Sequence, residues 1–137
     1  GKIDLTEILP NGDIIVTDFK TGSEKTASII EKLDEEGRLS TYMRQLAMYA
    51  YLLENTDKQS VAQTRLLFLE SEKNSKHKIY STHIQRDTID MLIDDITTYN
   101  TTLLDGTWVT RTCYHTPFGK DRKPCEYCAR AKKLFVF

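Results

Sequence analysis

The sequence has no long hydrophobic run, few cysteines and no excess of charge of one sign, and each shortage excludes a class of protein. No stretch approaches the length of a membrane-spanning helix, about 18 consecutive apolar residues, and the first residues lack a signal-peptide pattern. Three cysteines, an odd number, argue against a secreted disulfide scaffold. The 137 residues suffice for one domain with a hydrophobic core. These features predict a single-domain cytoplasmic protein.

Charge is balanced over the whole chain but not along it. The 19 basic and 20 acidic residues nearly cancel, so net charge does not indicate a nucleic-acid-binding protein. Between residues 111 and 133, seven basic residues stand against two acidic ones, an excess of five positive charges. Such a block is able to follow a phosphate backbone, although a solvated tail is the commoner meaning of a charge run.

The most informative segment is a predicted hairpin that carries two aspartates and a lysine. The first twenty residues read as two strands joined by a turn from Pro10 to Gly12. A two-residue Asn-Gly loop would place Asp4 and Asp18 on opposite faces. A three-residue loop, with Pro10 in a type I turn and Gly12 in the left-handed region, pairs Asp4 directly with Asp18. We favour the three-residue loop because both turn residues suit these positions.

Two facing carboxylates beside an ammonium are typical of a metal site that acts on phosphate. Asp18 and Lys20 share a face, because residues two apart in a strand point to the same side. An Asp-x-Lys pair alone is usually an inert surface pair, but this face is also apolar, and buried charges must be paired or bind a metal. Asp4 and Asp18, with the carbonyl oxygen of Phe19, would hold Mg²⁺ or Mn²⁺. Lys20 would orient or deprotonate a water, or stabilise developing charge, so phosphodiester hydrolysis fits these parts.

The remaining pattern predicts an α/β (α+β) domain with a central mixed sheet flanked by helices. Both faces of the hairpin are largely apolar, so we expect it in the middle of the sheet. The later predicted elements are helices over 27–36 and 40–54, strands over 61–70 and 78–85 with a turn at 71–75, and a helix capped at Asp87 or Thr88 and closed by Gly106. An apolar stripe on the second helix comprises Tyr42, Leu46, Tyr49 and Leu53. The apolar ends of the chain predict a piece of a longer protein.

These residues resemble the PD-(D/E)xK nucleases, and among them the RecB-like group of helicase-associated and CRISPR adaptation nucleases. The similarity rests on Gly-x-Ile-Asp at the start, Asp-Phe-Lys-Thr-Gly in the second strand and Gln45-x-x-x-Tyr49 on a helix. The resemblance implies a restriction-endonuclease-like core in which Asp4 and Asp18 bind the metal and Lys20 is catalytic. It implies that Gln45 and Tyr49 line the active site and the DNA and that they belong, with Asp18, to the catalytic residues.

The same resemblance implies a Mg²⁺- or Mn²⁺-dependent DNase or exonuclease of DNA repair or recombination, attached to a helicase. The alternative is a catalytically inactive DNA-binding or scaffolding domain of the same fold. The family has a further acidic or histidine ligand on a helix before the first strand, and this sequence begins after that point. Glu7 and Glu54 are stand-ins by residue type only, and strand parity places Glu7 on the face opposite Asp4.

A second metal site is predicted in the irregular segment 107–137. Cys125 and Cys128 form a close pair, and Cys113 lies upstream with His115 two residues after it. Some RecB-like nucleases carry a [4Fe–4S] cluster held by one cysteine before the nuclease core and three after it. The resemblance implies such a cluster at Cys113, Cys125 and Cys128, with a fourth cysteine expected before Gly1, although the wide gap between Cys113 and Cys125 departs from the family pattern. A Zn²⁺ site that includes His115 and a set of metal-free thiols are equal alternatives. A bound metal would hold this segment against the core. The cysteines also allow a further function, that of a small metal-binding interaction module.

Overall fold

The computed structural model describes residues 2–70 and 78–107, which form a mixed four-stranded sheet with flanking helices. In chain order the elements are β1 (Leu5–Ile8), β2 (Ile14–Ser23), α1 (Ala27–Ile30), α2 (Thr41–Thr56), β3 (Val61–Glu70), β4 (Lys78–Thr82) and α3 (Arg86–Leu104). The sheet order is β1-β2-β3-β4, with β2 and β3 parallel and the two outer strands antiparallel to their neighbours. The predicted α/β class with a central mixed sheet is confirmed.

The chain divides into two compact units, residues 1–95 and 96–137. The first unit holds the described sheet, α1, α2 and the beginning of α3. The described part of the second unit is the end of α3 and the turn to Thr107, where Gly106 adopts a φ of +73°. Gly106 therefore follows the helix as predicted, whereas α3 begins at Arg86, before either predicted cap. Among the described residues, no helix is long and apolar enough to cross a membrane.

The hydrophobic core of the first unit lies between one face of the sheet and α2. Alternate residues of the two parallel strands, Ile14 and Val16 on β2 and Leu66 and Phe68 on β3, point to this face and are buried. Each large side chain buried in this way contributes about 1.5–3 kcal/mol. The helix supplies the other layer of the same cluster through Met43, Leu46, Ala47, Tyr49 and Ala50.

The predicted position of the first hairpin is right for β2 and wrong for β1. Residues 14–17 of β2 are buried on both faces, as expected of an inner strand. All four residues of β1 are exposed, and Ile8 keeps 76% of its surface. The second neighbour of β2 is β3, which the α1–α2 crossover brings alongside, so β1 lies at the edge. The short apolar alternation of β1 did not reveal this.

The helix predicted over 27–36 ends at Ile30 because local hydrogen bonds compete with it. The carboxylate of Asp34 accepts the backbone N–H groups of Glu36 and Arg38, each at 2.9 Å. It also forms an ion pair with the Arg38 guanidinium at 2.8 Å. The backbone N–H of Arg38 is the largest cause that lowers the pKa of Asp34. The predicted strand over 78–85 also ends early, at Thr82, and the turn at 71–75 lies outside the described residues.

The second helix starts where its sequence predicts. Ser40 caps α2: its Oγ accepts the N–H of Met43 at 3.1 Å and donates to the carbonyl oxygen of Ile30. This pair of bonds fixes the entry of α2 against α1. The start of α2 in turn determines which residues of the helix face the sheet.

Candidate active site

The turn of the first hairpin has the predicted three-residue form. The N–H of Leu9 donates to the carbonyl oxygen of Asp13 at 2.8 Å, and the N–H of Gly12 donates to that of Leu9 at 2.9 Å. Gly12 has a φ of +88°, the left-handed conformation expected of it. The strands pair with Leu5 opposite Thr17, so the next pair outward is Asp4 and Asp18. The predicted register is confirmed.

Asp18 is a buried carboxylate held by three side chains. It retains only 3% of its surface. Its Oδ1 accepts the amide Nε2 of Gln45 at 2.7 Å and the hydroxyl of Tyr49 at 3.1 Å. Its Oδ2 lies 2.7 Å from the ammonium Nζ of Lys20. Gln45 and Tyr49 reach it together because a spacing of four residues places them on one face of α2.

Lys20 is fixed by two oxygens and an aromatic ring. Besides Asp18, its ammonium donates to Oε1 of Gln45 at 2.5 Å. The same nitrogen lies 5.6 Å from the ring centroid of Tyr42, within the range of a cation–π interaction. The Lys20 side chain keeps 23% of its surface, so the ammonium lies at the border between core and solvent. It is therefore oriented and still accessible to a substrate.

Asp4 is exposed and is joined to the second strand by one hydrogen bond. Its Oδ2 accepts the backbone N–H of Phe19 at 2.8 Å. Phe19 thus contacts Asp4 through its N–H group, whereas the metal ligand predicted from the sequence is its carbonyl oxygen. That role of the carbonyl stays a prediction.

Tyr49 links the helix to the segment that leads into Asp4. Its hydroxyl accepts from Nε2 of Gln45 at 2.8 Å and lies 3.1 Å from both the carbonyl oxygen of Lys2 and Oδ1 of Asp18. A phenol has one proton, so it donates to one of these two acceptors at a time. Burial raises the pKa of Tyr49, the hydrogen bond from Gln45 lowers it, and the nearby carboxylates raise it. Tyr49 therefore remains a neutral donor.

The donor set fits a hard divalent cation. Oδ2 of Asp18 is buried without a hydrogen-bond partner, since the Lys20 ammonium is close enough for an ion pair but is not aligned for a hydrogen bond. Asp4 supplies a second carboxylate from the neighbouring strand. Mg²⁺ is commonly bound by one or two carboxylates and completes its shell with water and substrate phosphate. A buried oxygen that already pairs with a cation, beside a second carboxylate, suits such an ion.

The described chain offers no third acidic, cysteine or histidine ligand at this site. Within residues 2–70 and 78–107, no group of three or more such side chains could hold a metal ion. Glu7 instead forms an ion pair with Arg65 at 3.2 Å, and Glu54 is exposed on α2. The two stand-ins considered in the sequence analysis therefore do not complete a metal site. Cys113, Cys125 and Cys128, with His115, lie outside the described residues.

The structure thus brings together most of the residues that the sequence analysis selected. Asp18, Lys20, Gln45 and Tyr49 form one hydrogen-bonded and ion-paired cluster, with Asp4 in register beside it. Tyr42, which the sequence places only on the apolar stripe of the helix, is a further neighbour of Lys20 that the sequence does not predict. Its position three residues before Gln45, on the same helix face, was the signal that could have identified it.

Comparison with known proteins supports the resemblance to the PD-(D/E)xK nucleases. A family model described as the PD-(D/E)XK nuclease superfamily matches residues 1–132, nearly the whole chain. Searches of curated proteins and of solved structures gave no match.

Proposed function

Because this chain belongs to the PD-(D/E)XK nuclease superfamily, we propose that it is a Mg²⁺- or Mn²⁺-dependent deoxyribonuclease. Members of the superfamily are generally nucleases and typically use these ions. The observation that carries the proposal is the buried Asp18 carboxylate, with one oxygen held by α2 and the other beside Lys20. This arrangement fixes the Lys20 ammonium at the border between the core and the solvent.

Asp4 and Asp18 would hold the metal ion, and the carbonyl oxygen of Phe19 is the further ligand that we propose. When bound, the ion lowers the pKa of a coordinated water and polarises a phosphate. The hydrogen bonds from Gln45 and Tyr49 hold Oδ1 of Asp18, so the carboxylate is already oriented. Such preorganisation avoids the cost of arranging the ligand during the reaction.

Lys20 is the residue that would act on the reacting groups. Its ammonium, held by Gln45 and Asp18, can donate hydrogen bonds to a phosphate oxygen or to the attacking water. Developing negative charge on the phosphate in the transition state favours a nearby fixed cation. Gln45 hydrogen-bonds to both Asp18 and Lys20, so it fixes the position of the ammonium relative to the carboxylate. Tyr49 completes the cluster from the next helical turn.

We further propose, on the resemblance of the three motifs to RecB-like enzymes, a role in DNA repair or recombination and association with a helicase. A cytoplasmic location remains the prediction of the sequence. The second candidate function is a DNA-binding domain that does not cleave. The observation that favours this candidate is the two-carboxylate donor set of the described residues, which lacks a third acidic ligand.

Cleavage of labelled single- and double-stranded DNA, with Mn²⁺, with Mg²⁺ and with EDTA, tests the proposal. The Lys20→Ala variant should lose activity by about 100-fold or more, as expected when a group acting on the reacting atoms is removed. Asp18→Asn should lose activity and metal binding together. Lys32→Ala, at an exposed lysine, is the matched control and should cleave like the parent protein. Unchanged cleavage by Lys20→Ala would show the catalytic assignment to be wrong, and DNA binding without cleavage by the parent protein would favour the second candidate.

The cysteine site stays a separate proposal with its own measurement. Cys113, Cys125 and Cys128 would supply three of the four ligands of a [4Fe–4S] cluster or, with His115, the four ligands of a Zn²⁺ site. Protein purified without oxygen should then contain stoichiometric iron or zinc, and a Cys128→Ser variant should lose it. Metal-free protein from such a preparation would leave the three residues as ordinary thiols.

A further inference from the structure

Lys20 has three described partners, and two of them belong to the site that would bind the metal. Asp18 is a proposed ligand, and Gln45 donates to that same carboxylate. The third partner is the ring of Tyr42, 5.6 Å from the ammonium. Tyr42 has no hydrogen bond to either carboxylate among the described contacts. The contact between Lys20 and the Tyr42 ring therefore does not depend on whether Asp18 binds a metal ion.

The ring of Tyr42 is itself held in position by the core. Its centroid lies 6.3 Å from that of Phe68, with an angle of 65° between the ring planes, which is an edge-to-face contact. Phe68 is fully buried and stands opposite Lys20 in the pairing of β2 with β3. The sheet register thus places Lys20 beside Phe68, the residue against which the Tyr42 ring packs. A fixed ring under an ammonium restricts where that ammonium can go.

We propose that Tyr42 is a positioning residue, whose ring holds the Lys20 ammonium in place for phosphodiester cleavage. This inference rests on the proposed function for its kinetic consequence, but the contact itself can be tested without it. A divalent cation that draws on the Asp18 carboxylate weakens the ion pair that otherwise fixes Lys20. The aromatic face is neutral and does not compete for the cation's ligands, so it continues to support the ammonium. The role requires the ring and not the hydroxyl of Tyr42.

The kinetic test compares Tyr42→Phe, which keeps the ring, with Tyr42→Leu, which keeps only apolar volume. Tyr51→Leu is the matched control, because Tyr51 is a partly buried tyrosine of the same helix whose described contacts do not include Lys20. Tyr42→Phe should cleave DNA within about twofold of the parent protein, since phenylalanine also attracts cations. Tyr42→Leu should lower kcat by about 5- to 30-fold, the value of a partly desolvated cation–π contact, with KM nearly unchanged. Equal kcat values for the two variants, or an equal loss in Tyr51→Leu, would overturn the proposal.

A double-mutant cycle separates this inference from the proposed function. Unfolding is measured without DNA or metal. The leucine cycle comprises the parent, Tyr42→Leu, Lys20→Met and the double variant, and the phenylalanine cycle has Tyr42→Phe in place of Tyr42→Leu. The leucine cycle should show coupling, so that the double variant differs from the product of the single effects by about threefold or more in the folding equilibrium constant. The phenylalanine cycle should be additive. Additive leucine data would refute the contact, while a coupled cycle in a protein that cleaves no DNA would refute the nuclease and keep the contact.

Discussion

Replacement of Lys20 by methionine should tighten the binding of Mn²⁺ while it abolishes cleavage. In the metal-free protein the Lys20 ammonium lies 2.7 Å from Oδ2 of Asp18, the oxygen that lacks a hydrogen bond. The ammonium therefore neutralises the carboxylate as an ion pair, and a divalent ion that binds Oδ2 must displace the ammonium. Methionine keeps most of the length and the apolar contacts of the side chain but carries no charge. The variant removes both the competing ion pair and the repulsion between two cations.

The size of the effect follows from the burial of the pair. An exposed ion pair contributes about 0–1 kcal/mol, and removing one partner of a buried pair costs about 3–5 kcal/mol. Asp18 is buried but Lys20 keeps 23% of its side-chain surface, so solvent screens part of the interaction. A discounted value of about 1–2 kcal/mol corresponds to binding tighter by about 5- to 30-fold. The metal-free variant should be less stable than the parent, because its buried carboxylate has lost a partner.

Titration calorimetry with Mn²⁺ measures the affinity directly, and the rise of Tm on adding Mn²⁺ measures it a second time. Lys20→Arg, which keeps the charge, should bind Mn²⁺ like the parent protein. Lys32→Met controls for the loss of a positive charge elsewhere in the chain. An Mn²⁺ affinity in Lys20→Met that equals or falls below that of the parent would refute the reasoning. The measurement needs no DNA, so it stands apart from the nuclease assay.

Three further predictions concern the framework of the site. Gly12→Ala should lower the free energy of unfolding by about 1 kcal/mol through backbone strain alone, because φ is +88° and the added methyl group would meet no atom within 4 Å beyond Gly12 and its two chain neighbours. Gly22→Ala, equally open but without a positive φ, should change the free energy of unfolding by less than about 0.5 kcal/mol in the same denaturant titration. Ser40→Ala should cost about 1 kcal/mol by the same measurement because α2 loses its cap, and a cost no greater than that of Ser28→Ala would contradict the assignment. Burial, and then the hydrogen bond to Glu31, raise the pKa of Tyr80 to about 12, so its contribution to stability is fully present below pH 10 and is lost as the pH rises towards 12. Tyr80→Phe should flatten this fall in unfolding experiments, and a curve parallel to that of the parent would refute the link.

Much of the site could be predicted because its elements are local in sequence. The turn residues Pro10 and Gly12 determine the loop length, and the loop length determines which residues of the two strands face each other. The spacing of Gln45 and Tyr49 likewise follows from the helical period. Each of these inferences needed a few neighbouring residues, and each agrees with the structure.

The errors of the sequence analysis arise where two structures compete and the local pattern does not decide between them. An edge strand and an inner strand can carry the same apolar alternation, so β1 could not be told from β2 before the crossover placed β3. The end of α1 depended on whether the Asp34 carboxylate would accept backbone N–H groups in preference to solvent. The spacing of Tyr42 from Gln45 places it on the helix face of the site, but only the packing of α2 on β2 brings its ring to Lys20.

The sequence by itself determined the identity and order of the chemical groups: the two aspartates, the lysine and the helical Gln–Tyr pair, together with the hairpin register. Only the tertiary structure decided how those groups are used. The parallel pairing of β2 with β3, and the packing of α2 on the same face, turn Asp18 into a buried carboxylate with one oxygen held and one beside an ammonium. The physical reason is that burial and hydrogen bonding depend on segments far apart in the chain, which no local pattern encodes. The same packing placed the ring of Tyr42 against Lys20.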